Sequence, residues 1–327
     1  LNSIYIFNEE YTMRYLAKQL YQILLFFIGV WSCTAIWAAP ITLDASTSAI
    51  ILSKDIQYFA DPSLEYTLAD IEREEQRGIA RWQKASGFIP NYGFTKAAYW
   101  VKIDLNNQSS KSDWILHFEY PLMDVLELYT PNPKNKYHLQ YTTGDAYAFS
   151  QRPIKDRGFA LPVNVEPQQT QTIYLRLQSR DSMIISMSLL TPDAFRAEQQ
   201  NESFWFGMYY GAVLIILLFN AYLYFILKDR NHLHYVAVLG CYALIELSLN
   251  GMGTVYFWGE FPELAKRIRP FAISTFALAS FTLTKSFIKK KKVTLGKFNL
   301  DPFFMGFILL SLVGAVIFPF TLSLQVS

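Results

Sequence analysis

The 23 residues from Trp205 to Leu227 contain no charged side chain. Wound into a helix at 1.5 Å per residue they reach about 34 Å, enough to cross the roughly 30 Å hydrocarbon core of a bilayer. A membrane span is therefore predicted, and every other part of the chain must be assigned to one side of it. Three more apolar stretches follow: Tyr235 to Met252 with Glu246 as its one acid, Pro270 to Ile288 with Lys285 near its end, and Phe303 to Leu324, uncharged but interrupted by Pro319. Residues 201–327 thus read as an α-helical transmembrane bundle with helices at about 205–227, 235–252, 270–288 and 303–324, the chain stopping shortly after the fourth.

Charge in the connections sets the expected orientation. Lys228, Arg230, Lys289 to Lys292 and Lys297 lie on one side. Arg196, Lys266, Arg267 and Arg269 lie on the other, accompanied by Glu198, Glu202, Glu260 and Glu263. Positive charge accumulates on the cytoplasmic side, so residues N-terminal to the first span are expected outside. The N-terminus agrees with this topology. Arg14 and Lys18 precede an apolar core from Ile23 to Val30, and small residues from Ala35 to Ala39 lead to Pro40. That pattern reads as a signal peptide over residues 1–39, its apolar core being too short to span. The alternative is an uncleaved anchor helix.

Residues 40–200 read as one exported β-rich domain. Tyr99 to Leu105 alternates large apolar with polar residues, as a half-buried strand does, and Asn106-Asn107 reads as a turn. Further strands are expected at Trp114 to Tyr120, Val125 to Tyr129, Tyr137 to Thr142, Phe159 to Val165, Thr172 to Gln178 and Ile184 to Leu190. Pro131-Asn132-Pro133 supplies one of the intervening turns. Recurrent short strands with frequent turns predict an antiparallel sandwich or jelly roll. Leu68 to Trp82, charged and free of proline, is the one helix expected there. Its acids Glu72, Glu74 and Glu75 alternate with Arg73 and Arg77, which reads as a solvated face.

Several function classes fall away. Abundant apolar and aromatic residues with a net charge of only +2 exclude intrinsic disorder. The main basic run, Lys289 to Lys292, lies between apolar stretches, so no nucleic-acid partner is expected. Cys33 and Cys241 each sit in an apolar segment and suggest neither a disulfide framework nor a metal site. His117 and His138 have no evident nucleophile beside them, and no cofactor or catalytic residue is expected.

The polar stretch from Gly144 to Arg157 is the more informative one. Asp145, Gln151, Arg152 and Arg157, with Arg176 on a later strand, form the candidate ligand-binding set, because guanidinium, amide and carboxylate groups suit a sugar, carboxylate or phosphate. The competing reading has Arg152 and Arg157 pairing with Asp145 or Asp156 to organise the loop. Within the spans, Asn220, Glu246 and Asn250 are candidate relay residues, because polar groups at membrane depth are costly. Helix packing is the alternative for each.

Taken in order, particular strings carry a family resemblance. They are Ala60-Asp61-Pro62, Ala98-Tyr99-Trp100-Val101, Tyr120-Pro121-Leu122-Met123-Asp124, Gly144-Asp145 with Ser150-Gln151-Arg152-Pro153, and Thr191-Pro192-Asp193-Ala194-Phe195. In the membrane block they continue as Gly207-Met208-Tyr209-Tyr210-Gly211, Lys228-Asp229-Arg230 and Leu249-Asn250-Gly251-Met252-Gly253 with Trp258. The sequence is similar to the bacterial seven-transmembrane receptors with diverse intracellular signalling modules. The resemblance implies a jelly-roll-like periplasmic sensor domain for carbohydrate or related small molecules, mounted on a multi-pass bundle in the inner (cytoplasmic) membrane. It also implies a cytoplasmic output, such as a diguanylate cyclase or histidine kinase, C-terminal to the four spans seen here. The expected partners are a small-molecule or carbohydrate ligand, membrane lipid and a second copy of the chain. The runner-up is a membrane-anchored carbohydrate-binding or scaffold protein without signalling output. A transporter or hydrolase would need a richer polar pathway or a nucleophile.

Overall fold

A computed structural model describes residues 40–79, 81–85, 87–134, 136–287, 294–295, 298–299 and 301–317. The signal peptide expected over residues 1–39, the basic run at 289–292 and the end of the fourth expected span lie outside the described residues.

Two sheets make up the N-terminal domain. The larger, seven-stranded one contains β1 (Ile41–Leu43), β3 (Gln57–Asp61), β4 (Gln83–Lys84), β6 (Ala98–Asn107), β8 (Val125–Pro131), β9 (Tyr137–Thr143) and β11 (Gln169–Gln178). Its order is β4-β3-β6-β11-β8-β9, with β1 parallel to the end of β6. The smaller sheet has four strands in the order β10-β7-β13-β2, namely Phe159–Asn164, Asp113–Phe118, Met187–Leu190 and Ala49–Ile51. A third pairing joins β5 (Asn91–Phe94) to β12 (Ser182–Ile184).

Alternation along the strands builds the core. Tyr99, Val101, Ile103 and Leu105 of β6 face inward with Ile173, Leu175 and Leu177 of β11. They meet Trp114, Leu116 and Phe118 of β7 and Phe159, Leu161 and Val163 of β10, all buried. Two sheets closing on one apolar layer is a β-sandwich. The expected turn at Asn106-Asn107 is corrected: β6 runs through both. Asn107 is buried, and its Nδ2 donates to the carbonyl oxygens of Lys111 (2.7 Å) and Val165 (2.6 Å) while its Oδ1 accepts from Ser109. Asn107 ends the strand by stitching the turn that follows.

The expected helix is shorter than the sequence suggested: α1 spans Leu68–Gln76. Thr67 and Asp70 form a reciprocal capping box at its start, and Gly78 at φ 72° turns the chain away beyond its end. Its acids are not a solvated face. Glu75 accepts from Trp82 Nε1 (2.7 Å), Lys102 Nζ (2.9 Å) and Tyr174 Oη (2.8 Å), which fixes the helix to the outer face of the large sheet. Ile71, Phe59, Trp100 and Tyr174 fill the space between them.

Helix α2, Pro192–Leu227, is 36 residues long and begins well before the apolar stretch. Thr191 caps it, with Pro in its first turn. The expected boundary at residues 200 and 201 falls inside this helix. Its opening turns run down the outer face of the small sheet, where Phe195 packs with Ile115, Ala160 and Leu190. Lys228 in the left-handed region ends α2, and Asp229 caps α3, Arg230–Leu249. A short π-helical turn, Thr254–Trp258, leads to α4, Pro262–Phe287. The third expected span starts at Pro270, but the helix begins two turns earlier and includes Lys266, Arg267 and Arg269. After a two-residue hairpin, β14 (Thr294–Leu295) with β15 (Phe298–Asn299), α5 covers Asp301–Ile317. Consecutive helices pack on one another, α2 with α3, α3 with α4 and α4 with α5. Among the described residues, α2 and α3 are long and apolar enough to cross a membrane.

Candidate functional site

Strand directions place four connections at one end of the sandwich: residues 119–124 between β7 and β8, 144–158 between β9 and β10, 179–181 between β11 and β12, and 185–186 between β12 and β13. The membrane helices meet the sandwich at this end. Asp145, Gln151, Arg152 and Arg157 all belong to the 144–158 connection, which is therefore a seam between sandwich and membrane block.

Arg152 is turned inward. Its Nη1 donates to the carbonyl oxygens of Asp156 and Gly158, each at 2.7 Å, and its guanidinium lies over the rings of Phe159 (4.4 Å) and Phe149 (5.1 Å). Burial lowers its pKa to about 10, against the pull of the Asp145 and Asp156 charges. Arg152 organises the loop, though through carbonyl oxygens rather than through the carboxylate pairs the sequence suggested. Gln151 is exposed beside it.

Arg157 reaches across to α2. Its Nε donates to Glu202 Oε2 at 2.7 Å and its Nη2 to Glu202 Oε1, a bidentate pair, while Nη1 donates to the carbonyl oxygen of Glu119. One residue earlier, Asp156 Oδ2 lies 3.0 Å from His117 Nε2 and accepts from the Gly158 N–H at 2.9 Å. Its Oδ1 accepts from Gln199 Nε2 at 3.1 Å. Burial raises the Asp156 pKa, but the His117 hydrogen bond and charge and the other donors outweigh it and bring it to about 2. Strand, loop and membrane helix are thus joined through one carboxylate.

The other half of the seam is the α3–α4 connection, where glycines allow close approach. Gly251 has φ 81°, and a Cβ there would lie 2.6 Å from the Arg157 carbonyl oxygen and 2.8 Å from Pro121 Cβ. A Cβ on Gly253 would strike the Trp258 ring. The Phe149 N–H donates to the Gly259 carbonyl oxygen at 2.8 Å, and Ser150 donates through N–H (2.9 Å) and Oγ (2.7 Å) to the Glu260 carboxylate. Behind this contact, buried Lys266 and Arg269 face the sandwich. Lys266 Nζ is 3.7 Å from Asp124 Oδ1, and Arg269 Nη1 donates to Asp181 Oδ1 at 2.6 Å. Asp145 lines the same small cavity as Arg269.

Arg176 stands apart from the other four ligand candidates. In the register of the large sheet Trp100, Arg176 and Glu127 lie side by side on β6, β11 and β8. Arg176 Nη1 is 3.8 Å from Glu127 Oε2, which also accepts from Tyr129 Oη at 2.8 Å. These residues line a groove of about 510 Å³ walled by Tyr66, Leu68, Tyr137 and His138. Its size suits a small molecule. The indole N–H of Trp100 has no acceptor among the described residues.

Of the relay candidates, Asn220 binds α2 to α3 through His232 Nδ1 (3.1 Å) while donating to the Ile216 carbonyl oxygen. Asn250 Nδ2 donates to Tyr210 Oη at 2.7 Å and its Oδ1 accepts from the Met252 N–H, so it anchors the glycine turn. Glu246 is half-buried one turn earlier, its carbonyl oxygen accepting the Asn250 N–H.

Asp156 is named by the sequence only as a partner for the loop arginines. Sequence reasoning missed Asp124, Asp181, Glu202, Glu260, Lys266 and Arg269 as members of the seam. The last four had been counted only as loop charges that set topology. The signal available was the density of acids and bases in the 119–124, 144–158 and 179–181 connections and around residues 260–269.

Comparison with known protein families gives two adjoining matches. The second extracellular domain of the seven-transmembrane receptors with diverse intracellular signalling matches residues 53–191. The seven-transmembrane domain of that group, described as 7TM diverse intracellular signalling, matches residues 202–327. Both are receptor modules rather than catalytic ones. No curated protein matches the chain.

Proposed function

The chain belongs to the seven-transmembrane receptors with diverse intracellular signalling, and from that membership we propose that its sandwich binds a small extracytoplasmic ligand and that the seam relays binding into the membrane helices. In this reading the domain is a jelly-roll-like sensor in the periplasm, exported by the N-terminal signal peptide. The helices form a multi-pass block in a bacterial inner membrane, and the output is a cytoplasmic signalling module.

The observation that carries the reading is that one loop serves both halves. Residues 144–158 hold the sandwich through Asp156–His117 and hold the membrane block through Arg157–Glu202 and Ser150–Glu260. A ligand shifts such an equilibrium only by binding one arrangement better than the other. We assign the ligand site to the groove around Arg176. The rings of Tyr66, Tyr129 and Tyr137 that line it suit the C–H surface of a sugar, while Arg176 and Glu127 offer a donor and an acceptor to its hydroxyls.

The test is calorimetric titration of the full chain in detergent with a panel of mono- and oligosaccharides, followed by Arg176→Ala and Glu127→Ala. Loss of binding by at least tenfold with unchanged melting supports the site, and unchanged affinity overturns it. Hydrogen exchange over residues 250–260 then separates receptor from anchor. Binding that alters exchange there supports relay, and binding without any change favours the anchored carbohydrate-binding protein.

A further inference from the structure

Three carboxylates, three cations and a tyrosine are gathered where the sandwich meets the start of α4. Asp124 and Tyr120 come from the β7–β8 connection, Asp181 and the more exposed Arg180 from the β11–β12 connection, and Asp145 from the loop after β9. From α4, Lys266 and Arg269 lie one turn apart on the face packed toward them, both almost wholly buried. Asp124 is met by Lys266 and by the Arg180 N–H at 2.6 Å, and Asp181 by Arg269. Glu263 stands on the rim, 3.7 Å from Lys266. The buried Arg152 guanidinium also feels the Asp145 charge; its Nη1 donates to carbonyl oxygens, and its Nε has no acceptor among the described residues.

The two buried cations of α4 are therefore matched by two carboxylates, and Asp145 is the third acid. Its N–H donates to the Met123 carbonyl oxygen at 2.7 Å, so its backbone is fixed, but its Oδ1 has no hydrogen-bond partner among the described residues. The cavity it lines with Ser248, Thr254, Trp258 and Arg269 has a volume of about 20 Å³, room for about one water. An ionised carboxylate in such a place is costly, and a neutral one leaves the two ion pairs balanced.

We propose that Asp145 is a proton-binding site built into this seam, and that the proton it holds keeps the first turns of α4 docked on the sandwich. Burial first, and then the like charge of Asp124, raise the Asp145 pKa to about 7, with Lys266 and Arg269 opposing. Once α4 separates, the carboxyl meets water and returns to the ordinary range near 4. The docked arrangement has the higher pKa and so binds the proton more tightly. Docking is then strongest in acid, weakens by up to roughly tenfold per pH unit between about 4 and 7, and becomes independent of this group above that. The seam would register external pH through the same contact that transmits ligand binding, and it does so whatever occupies the groove.

The experiment follows backbone hydrogen exchange of residues 252–268 in the full chain in lipid nanodiscs from pH 5 to pH 8, corrected for intrinsic exchange rates. Protection should fall at least tenfold across that range in the unaltered chain and stay at its acid level in Asp145→Asn, whose amide cannot ionise. Asp124→Asn removes the like charge and should move the midpoint to lower pH. A pH profile identical in the unaltered chain and Asp145→Asn overturns the proposal. Should Asp145→Asn fail to fold, infrared titration of the unaltered chain decides. A carboxylic acid band that persists above pH 6 and diminishes in Asp124→Asn supports the site, and its absence at pH 6 overturns it.

Discussion

Phe149 and Gly259 are joined by a backbone hydrogen bond of 2.8 Å, the sandwich loop donating and the α3–α4 connection accepting. Gly259 permits this approach because it has no side chain. A Cβ there would lie 2.2 Å from the Thr254 carbonyl oxygen and 2.6 Å from Phe149 Cβ. Gly259→Ala and Gly251→Ala should each destabilise the docked chain by about 3 kcal/mol, combining overpacking with backbone strain at Gly251. Gly93→Ala is the control. It has φ 67° but no atom within 4 Å of the added Cβ, so only about 1 kcal/mol of backbone strain is expected. Thermal melts of the three variants in detergent check the ranking, and equal losses would refute it.

Arg157 and Glu202 are largely shielded from water, with side-chain exposures of 15% and 24%. Removing one partner leaves the other partly desolvated. Arg157→Ala or Glu202→Ala should cost about 3 kcal/mol, whereas the double alanine variant should cost less than the sum. Arg157→Lys should restore little, because an ammonium cannot reproduce the two-bond fork. A double-mutant cycle by chemical denaturation measures the coupling, and strict additivity would contradict the pairing.

Much of this architecture was legible in the sequence, for a local reason. Strands such as Val125–Pro131 and Phe159–Asn164 declare themselves by alternation, and the span from Trp205 by its length without charge. What could not be read was which partner a charge meets. Glu75 looked solvated because helical spacing with Arg73 and Arg77 is visible in sequence, while Trp82, Lys102 and Tyr174 converge on it only in three dimensions. Arg152 and Arg176 were grouped by chemistry, yet a strand reversal puts them on different parts of the sandwich. Helix α2 was underestimated because its first turns are polar on the outside, and only Phe195 marks the face that the small sheet covers.

The His117–Asp156 contact predicts acid sensitivity. The Asp156 pKa is depressed in the folded chain to about 2, below its ordinary value near 4. Its contribution is therefore complete above about pH 4 and is lost as pH falls toward 2, about 2 kcal/mol in all. Asp156→Asn should lower stability at pH 6 and flatten the curve between pH 4 and 2. Denaturant titrations at those pH values test this, and an unchanged slope in the variant would assign the acid response to other groups.

Trp100 separates a structural role from a binding one. It is fully buried between α1 and the large sheet, with Tyr129 5.6 Å away, yet its N–H lacks an acceptor. A buried donor without a partner weakens the fold by about 1–3 kcal/mol. Trp100→Phe removes that donor but also some packing volume, so the two effects oppose and stability should change by no more than about 1 kcal/mol. That N–H is closed off from the groove beside Arg176, so a sugar hydroxyl bound there does not reach it. Trp100→Phe should then leave both sugar binding and the melting temperature nearly unchanged, whereas Arg176→Ala should weaken binding at least tenfold. A severalfold loss of affinity in Trp100→Phe at unchanged melting would contradict this separation of core from groove.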